Sequence, residues 1–258
     1  MKFYTKIFLL FAAVVAISAE ELDNEIEPRT SSSLNTVEDR GRLISDLLSS
    51  YDKRNYPSNV TVQFGVSLLK LDVDELASTL ETDLWTRQLW IDLRLRWNPE
   101  EYGNITVLRL PPSEIWRPDI TLYNSANPID NLQCSETNIL VYNTGKIIWV
   151  PPCHYRSHCN LSLDRAPLDE QTCPLKFGSW TFDGYSLDLQ FYDEKEQADI
   201  IDYMGISDWE LTGNTAERLS KTYDCCPEPY VTRKSGINLC SYLEIITLSA
   251  KAINILPR

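Results

Sequence analysis

The sequence has little positive charge. It contains 24 lysines and arginines against 37 aspartates and glutamates, and its formal net charge is −13. A partner with a phosphate backbone requires a basic surface, so this composition argues against nucleic acid binding. The negative field would instead draw in small cations, unless the charge serves only to keep the protein soluble.

Catalytic patterns are missing as well. Hydrolysis by a Ser-His-Asp arrangement needs a histidine, and the sequence has two, His154 and His158. It has neither a Gly-rich phosphate-binding loop nor a nucleophile elbow. Both histidines lie between Cys153 and Cys159, which leaves a zinc-binding or hydrolytic secreted protein open as an alternative. The competing interpretation is a surface loop between disulfide-bonded cysteines, and on it we expect no enzyme activity, no metal and no cofactor.

Apolar runs long enough to cross a membrane are also missing. The run from Ile7 to Ile17 is too short for a span. Because two lysines precede it and small residues follow it, it predicts a secretory signal peptide over residues 1–19. The later apolar window 237–256 contains two charged residues, which are costly at a bilayer centre. We therefore expect a secreted, extracellular chain without a membrane span and without a channel pore.

Secretion governs how the seven cysteines are interpreted. In an oxidising compartment they are expected to form disulfides rather than to bind metal. A hairpin that turns between residues 143 and 144 would place Cys134 opposite Cys153, close enough for a disulfide. The three predicted pairs are Cys134–Cys153, Cys159–Cys173 and Cys225–Cys226, which leaves Cys240 over.

Three Asn-X-Ser/Thr acceptor sequences predict N-glycosylation once the chain is secreted. Each is also a prediction that the asparagine lies at the surface. The acceptor residues are Asn59, Asn104 and Asn160.

The apolar periodicity predicts one helix followed by strands. Residues 20–36 are acidic and rich in serine, and we expect a poorly ordered start there. Residues 37–51 carry leucines at helical spacing and predict an amphipathic helix. From residue 60 onwards, many short strands without helical crossovers predict one antiparallel β-sandwich domain.

The strand predicted over residues 85–97 has two distinct sides. One side carries the apolar residues Leu89, Ile91, Leu93, Leu95 and Trp97, and the other side carries the polar residues Gln88, Asp92, Arg94 and Arg96. We interpret this alternation as a long strand whose polar side faces water.

Residues 223–230 are the most informative segment of the chain. Two adjacent cysteines are flanked by Tyr223 and Tyr230, with prolines after the cysteines. A disulfide between the two cysteines would make a rigid loop tip with an aromatic ring on either side. Aromatic faces attract cations by about 0.5 to 2 kcal/mol per ring. The segment predicts a lid over an organic cation, unless the two cysteines bond to different partners in a disulfide scaffold.

The segment from Cys159 to Cys173 resembles the signature loop of the Cys-loop pentameric receptors. It has two cysteines separated by thirteen residues, with a proline, an aspartate and a glutamine between them. The family has aromatic residues beside that proline, whereas this chain has Ala166 and Leu168. Since the loop faces the membrane domain in receptors, the difference bears on channel coupling more than on folding.

Three further segments, residues 116–124, 177–184 and 223–230, resemble the binding loops of nicotinic acetylcholine receptor subunits. The adjacent cysteine pair resembles that of alpha-type subunits. This resemblance extends over most of residues 37–230. It implies an all-β fold, an antiparallel immunoglobulin-like β-sandwich with one N-terminal α-helix, assembled as a pentamer. It also implies binding of acetylcholine or a related organic cation at interfaces within a homo- or hetero-pentamer.

Carried over position by position, the resemblance implies two faces of one ligand site. Trp180 would offer its ring to the ammonium, since indole is the strongest cation–π partner among side chains. The implied principal face consists of Tyr123, Trp180, Tyr223, Cys225, Cys226 and Tyr230. The implied complementary face, supplied by a neighbouring subunit, consists of Trp85, Arg87, Leu140, Ile148 and Val150.

Two qualifications accompany these assignments. Arg87 would repel a cationic ligand unless it points outward or pairs with an acid. Four residues at family positions are expected to pack rather than to bind ligand: Trp97, Trp116, Pro118 and Asp119.

The resemblance weakens after Tyr230. We therefore expect the ligand-binding domain at residues 37–230 and a divergent tail at residues 231–258. One explanation is a soluble relative similar to the secreted acetylcholine-binding proteins, with residues 237–248 as a replacement last strand. The other is a truncated nicotinic receptor subunit, which would modulate full-length channel subunits or fail to assemble with them.

Overall fold

Strands make up most of the described structure. This computed structural model describes residues 31–126, 133–162, 170–205, 208–224 and 226–241. In chain order the elements are α1 (Ser31–Ser49), β1 (Val60–Asp74), β2 (Thr79–Arg96), a 3₁₀ helix (Pro99–Tyr102), β3 (Val107–Leu110), β4 (Ile120–Leu122), β5 (Ile139–Tyr142), β6 (Thr144–Trp149), β7 (Pro152–His158), β8 (Glu170–Ser179), β9 (Leu187–Phe191), a second 3₁₀ turn (Tyr192–Glu194), β10 (Trp209–Tyr223) and β11 (Cys226–Ser241).

Several predictions concern residues outside the described ranges. They are the signal peptide at residues 1–19, the centre of the loop between Cys159 and Cys173, Cys225, and the tail from residue 242 onwards.

Helix α1 is longer at its start than its apolar pattern predicts. It begins at Ser31, inside the segment for which we expect a poorly ordered start, and ends at Ser49 rather than near residue 51. Serine is favoured at helix starts, so a serine-rich stretch does not by itself exclude one. Leu43 is fully buried and anchors the helix on the core. No helix in the described parts of the chain combines the length and apolarity that a membrane crossing requires.

The strands of the described residues form two sheets. The larger has the order β3-β5-β6-β2-β1-β9, with β7 also pairing with β2, and the smaller has the order β10-β11-β8-β4. Most strand pairs are antiparallel, as predicted, but β1 and β9 run parallel. The sheets are joined through contacts such as Phe64 against Phe177, whose ring centroids lie 5.0 Å apart. The predicted sandwich with one N-terminal helix is confirmed.

Over residues 88–93 the two faces of β2 are opposite to our prediction, whereas at the end of the strand Leu95 is buried and Arg96 is exposed, as predicted. Gln88 and Asp92 are 4% and 1% exposed, whereas Ile91 and Leu93 are 54% and 66% exposed. The buried carboxylate of Asp92 is satisfied, because it accepts hydrogen bonds from Arg94 at 2.6 and 2.8 Å and from the Tyr51 hydroxyl at 2.9 Å. Alternation along a strand separates its two sides but does not identify which side is covered.

Both disulfides that lie within the described residues are confirmed. The Cα atoms are 4.0 Å apart in Cys134–Cys153 and 5.0 Å apart in Cys159–Cys173. The hairpin register differs slightly from the prediction, because Leu140 pairs with Ile148 and the turn is therefore centred on residue 144. The pairing register of the hairpin shifts by one residue between the Leu140–Ile148 pair and the Cys134–Cys153 bridge.

Strand β11 extends the sandwich beyond the predicted end of the domain. It runs continuously to Ser241 between β10 and β8 and pairs with both. Residues 237–241 are therefore strand, as predicted for a replacement last strand at residues 237–248, but they continue a single strand that begins at Cys226. The division of the chain between residues 230 and 231 stays a prediction. Cys240 is buried on this strand, which argues against its serving as a surface link between chains.

A buried arginine lies in the middle of β11. Arg233 is 2% exposed, and its guanidinium donates to the carbonyl oxygens of Phe64, Lys195 and Gln197. Burial, with a smaller contribution from nearby Arg87, lowers the pKa of Arg233 to about 10. The contacts join β11 to β1 and to the segment that follows β9.

The three glycosylation acceptors, Asn59, Asn104 and Asn160, are all exposed. Their surface position is as predicted, and glycan attachment stays a prediction.

Candidate functional site

Four aromatic residues of the implied principal face come from the ends and middles of neighbouring strands. Tyr123 directly follows β4, Trp180 directly follows β8, and Tyr223 ends β10. Tyr230 lies in β11, which separates β10 from β8. The sheet order therefore brings together residues that are far apart in the sequence.

The four rings form two edge-to-face pairs. The ring centroids of Tyr123 and Trp180 lie 5.8 Å apart at an interplanar angle of 87°, and those of Tyr223 and Tyr230 lie 5.7 Å apart at 75°. Burial raises the pKa of Tyr123 to about 12, with smaller contributions from Tyr223, Asp119 and Tyr230. We call Tyr123, Trp180, Tyr223 and Tyr230 the principal cluster.

Asp119 organises the backbone that carries Trp180. Its carboxylate accepts hydrogen bonds from the Ser179 hydroxyl at 2.5 Å, and from the backbone N–H and hydroxyl of Thr181 at 2.8 and 2.7 Å. The Tyr123 hydroxyl donates to the Ser179 carbonyl. The aspartate thus fixes the residues on both sides of the indole, in agreement with its predicted packing role.

The indole of Trp180 is open to a ligand. Its side chain is 67% exposed, although it sits between buried strand residues and a loop held by Asp119. Two of its tyrosine neighbours already face lysines. Nζ of Lys176 lies 5.5 Å from the Tyr123 ring centroid, and Nζ of Lys221 lies 4.9 Å from that of Tyr223. The cluster therefore has the geometry for cation–π contact, and part of it is used internally.

The hairpin between β10 and β11 covers one side of the cluster. Cys226 pairs with Tyr223 across the hairpin and is disulfide-bonded. Its predicted partner, Cys225, lies outside the described residues. The Gly184 N–H donates to the Pro229 carbonyl at 2.7 Å, which fastens the hairpin to the loop after Trp180.

The residues of the implied complementary face lie on the larger sheet. Trp85, Arg87 and Leu89 alternate on β2 with inward residues that are buried. Leu89 pairs with Ile148 on β6, which pairs in turn with Leu140 on β5. Val150, which directly follows β6, is 38% exposed. We call this set the β2 surface, together with the exposed Ile91 and Leu93.

The charge of Arg87 is paired. Its guanidinium lies 3.0 Å from the Asp199 carboxylate and 5.2 Å from the Tyr192 ring centroid. Both charged side chains are about one-fifth exposed. We expected Arg87 to repel a cationic ligand unless it paired with an acid. The structure shows that pairing.

The structure unites the principal cluster but does not unite it with the β2 surface. The two sets belong to different sheets of one chain.

Some relevant residues were not found by sequence reasoning. Asp199 and Tyr192 give no local signal, because they reach Arg87 from a distant segment. Lys221 was also missed, because its position beside Tyr223 depends on an irregularity of β10 between Thr222 and Tyr223 that the sequence does not show.

The zinc alternative is wrong. Cys153 and Cys159 are each held in a disulfide, so neither can supply a thiolate ligand. His154 instead contacts the Asp83 carboxylate, with Nδ1 at 2.8 Å from Oδ1.

Comparison with known proteins gives one consistent result. Residues 40–238 match the family model described as the neurotransmitter-gated ion-channel ligand binding domain. The acetylcholine receptor subunit alpha-type acr-16 of Caenorhabditis elegans is 42% identical over 204 residues, covering 76% of this chain and 40% of the relative. The human neuronal acetylcholine receptor subunit alpha-2 is 40% identical over 200 residues, covering 75% and 37%. The Drosophila melanogaster acetylcholine receptor subunit beta-like 1 is 39% identical over 180 residues, covering 67% and 34%.

The chain spans about two-fifths of the length of these relatives. The matched region contains every strand apart from the last three residues of β11, together with both described disulfides, the principal cluster and the β2 surface. The family binds ligands and is not enzymatic. On this evidence, the chain belongs to the neurotransmitter-gated ion-channel ligand-binding domain family, and its domain is of the nicotinic acetylcholine receptor type.

Proposed function

We propose that this protein binds acetylcholine or a related organic cation between adjacent subunits of a homo- or hetero-pentamer. The principal cluster of one chain would contact the ammonium group. The β2 surface of its neighbour, with Trp85 at the centre, would complete the site. The observation that carries this proposal is the exposed Trp180 indole, set edge-to-face against Tyr123 and beside the Tyr223–Tyr230 pair.

Three features support a cationic ligand. Aromatic faces favour cations over neutral groups of the same shape. The net charge of −13 attracts cations over longer distances. The nearby cation of the β2 surface, Arg87, is neutralised by Asp199.

The β2 surface supports assembly. Ile91 and Leu93 are large apolar side chains on the outside of one chain, and a contiguous exposed apolar strip is typical of an interface. We propose an extracellular setting, which suits the two disulfides. The alternative, a truncated receptor subunit that acts through full-length partners, uses the same principal cluster and differs in what occupies the neighbouring position.

The first test is secretion of the full chain from eukaryotic cells, with its mass in solution measured with and without acetylcholine. A pentamer that binds the ligand would establish a soluble binding protein. A secreted monomer that binds acetylcholine only when co-expressed with a full-length subunit would support the alternative.

Trp180→Ala is the companion variant, and it should remove most of the affinity. Tyr102→Ala is a suitable control, because Tyr102 also faces a cation, Arg42 at 4.7 Å, but beside α1 rather than in the principal cluster. Normal acetylcholine binding by Trp180→Ala would refute the cage assignment.

A further inference from the structure

Lys221 brings a positive charge of the protein itself to the principal cluster. Its Nζ lies 4.9 Å from the centroid of the Tyr223 ring. It also pairs directly opposite Tyr230 across the β10–β11 hairpin. Directly opposed residues of antiparallel strands project from the same face of the sheet. The ammonium therefore lies among the tyrosines that would receive a ligand cation, at a distance typical of a cation–π contact.

A second lysine of the β10–β11 hairpin has a different environment, although Lys176 on β8 also lies over a tyrosine of the principal cluster, Tyr123. Lys234 lies on β11, and its Nζ is 3.2 Å from the Glu217 carboxylate, an ordinary exposed ion pair. Among the described residues, no carboxylate oxygen lies within ion-pair distance of Lys221, whose ammonium instead faces the Tyr223 ring. The two lysines thus carry the same charge and lie on the same hairpin, but Lys221 contacts an aromatic ring and Lys234 contacts a carboxylate.

We propose that Lys221 is a tethered competitor of the cationic ligand and a determinant of the specificity of the site. The inference rests on the proposed function. A ligand ammonium can use the Tyr223 ring only if the Lys221 ammonium leaves it, because two cations on one ring repel each other. A neutral ligand of the same shape meets no such repulsion. Lys221 therefore lowers the affinity of the site for cations. It also reduces the difference in affinity between a cationic ligand and a neutral ligand of the same shape.

The expected effect is modest because Lys221 is exposed to water. A cation–π contact at an exposed site changes a binding constant by a factor of about two to five. Loss of the lysine charge should tighten cation binding by about this factor.

The binding experiment uses the full chain, or its assembly with a receptor subunit if that is required for binding. Acetylcholine is compared with its uncharged carbon isostere, 3,3-dimethylbutyl acetate. Lys221→Gln should bind acetylcholine about two- to five-fold more tightly and the isostere unchanged. Lys221→Arg should resemble the parent protein, since it keeps the charge. Lys234→Gln is the matched control for the loss of one charge and should leave both affinities unchanged.

Two binding results would overturn the proposal. One is unchanged or weaker acetylcholine binding by Lys221→Gln. The other is an equal gain for acetylcholine and the isostere, because that would show relief of steric hindrance rather than of charge.

A second measurement is independent of the choice of ligand. Lysines are reductively methylated with ¹³C and observed by NMR, with the Lys221 signal identified by its loss in Lys221→Arg. The Tyr223 ring current should shift the Lys221 signal upfield of the Lys234 signal, and Tyr223→Leu should abolish the shift. Tetramethylammonium should move the signal towards the position of an exposed lysine.

This measurement separates the two proposals. If no variant bound acetylcholine but tetramethylammonium displaced Lys221, the choice of ligand would fail and the competitor role would stand. A Lys221 signal without an upfield shift, or one that no ammonium compound moved, would overturn the competitor role itself.

Discussion

The principal cluster and the β2 surface differ in where their contacts come from. In the cluster, Tyr123 packs on Trp180, and Asp119 holds the residues around the indole, all within one chain. On the β2 surface, Ile91 and Leu93 are mostly exposed, although neighbouring inward residues of the same strand are buried. The principal cluster is therefore organised within the single chain, whereas the β2 surface of the proposed site would be covered only on association with a second chain. Changes in the principal cluster should alter ligand affinity by disturbing the folded structure of one chain. Changes on the β2 surface should alter it by weakening or strengthening the association between chains.

The largest expected effect contrasts two tryptophans on opposite sides of β2. Trp90 is fully buried, so Trp90→Ala should lower the free energy of unfolding by about 3–5 kcal/mol. Trp85 is only partly buried, so Trp85→Ala should lower it by about 1 kcal/mol or less while weakening ligand binding by the assembly. Urea denaturation and acetylcholine titration of both variants provide the measurement. Equal destabilisation would mean that the β2 surface is part of the fold of the single chain.

The next effect concerns the organisation of the principal cluster. Asp119→Ala removes three charge-assisted hydrogen bonds, and it should cost about 1.5–3 kcal/mol of unfolding free energy and at least about tenfold in acetylcholine affinity. Asp188→Ala is the matched control, because Asp188 forms a surface ion pair with Arg218 at 2.6 Å. Such pairs contribute about 0–1 kcal/mol. An Asp119→Ala protein with unaltered affinity would show that the indole needs no support from Asp119.

A smaller effect is expected on the β2 surface, where Asp199 neutralises Arg87. Asp199→Asn leaves a positive charge near the ligand, and repulsion over roughly 10 Å should weaken cation binding by about two- to tenfold. The double variant Arg87→Gln/Asp199→Asn should restore the affinity, because it removes the unpaired charge. Failure of the double variant to restore it would indicate that Asp199 acts through structure rather than charge.

The smallest effect is a dependence on alkaline pH. The pKa of Tyr123 is raised to about 12, so the folded chain keeps this proton more firmly than the unfolded chain does. Its contribution to stability should be complete below about pH 10 and should be lost as the pH rises towards about 12. Tyr123→Phe should therefore show a shallower loss of stability over this range in urea denaturation. Tyr56→Phe, which changes an exposed tyrosine outside the cluster, is the control, and identical pH profiles for Tyr123→Phe and the parent would contradict the prediction.

Much of this comparison could be predicted from the sequence, because its strongest signals are local. The two described disulfides follow from cysteine spacing and one hairpin, whereas the four residues of the principal cluster are implied by the resemblance of short segments to the binding loops of a known family. The sandwich follows from many short strands. Each of these inferences depends on residues that are close together in the chain.

The predictions that failed depend on contacts between residues that are far apart in the sequence. Alternation in β2 did not show which side was covered, because the inward Asp92 is satisfied by Tyr51 and Arg94 from other positions. The pairing of Arg87 with Asp199 joins residues 112 positions apart and left no pattern. Strand β11 was underestimated because most of residues 231–240 are buried on both sides of the strand, and a strand covered on both faces need not alternate.

The buried Arg233 also bears on how the chain finds its fold. Strand β11 contains many small and apolar residues, so several alignments with β8 could bury similar apolar area during folding. A slip of one residue would remove Arg233 from the carbonyl groups of Phe64, Lys195 and Gln197 and leave them without their donor. Because a one-residue slip turns every side chain of a strand to the other face of the sheet, a neighbouring residue would take the place of Arg233 opposite these oxygens. Leaving buried acceptors without a donor costs about 1–3 kcal/mol, so Arg233 helps to fix the register of β11 against β8 in a way that apolar burial alone would not.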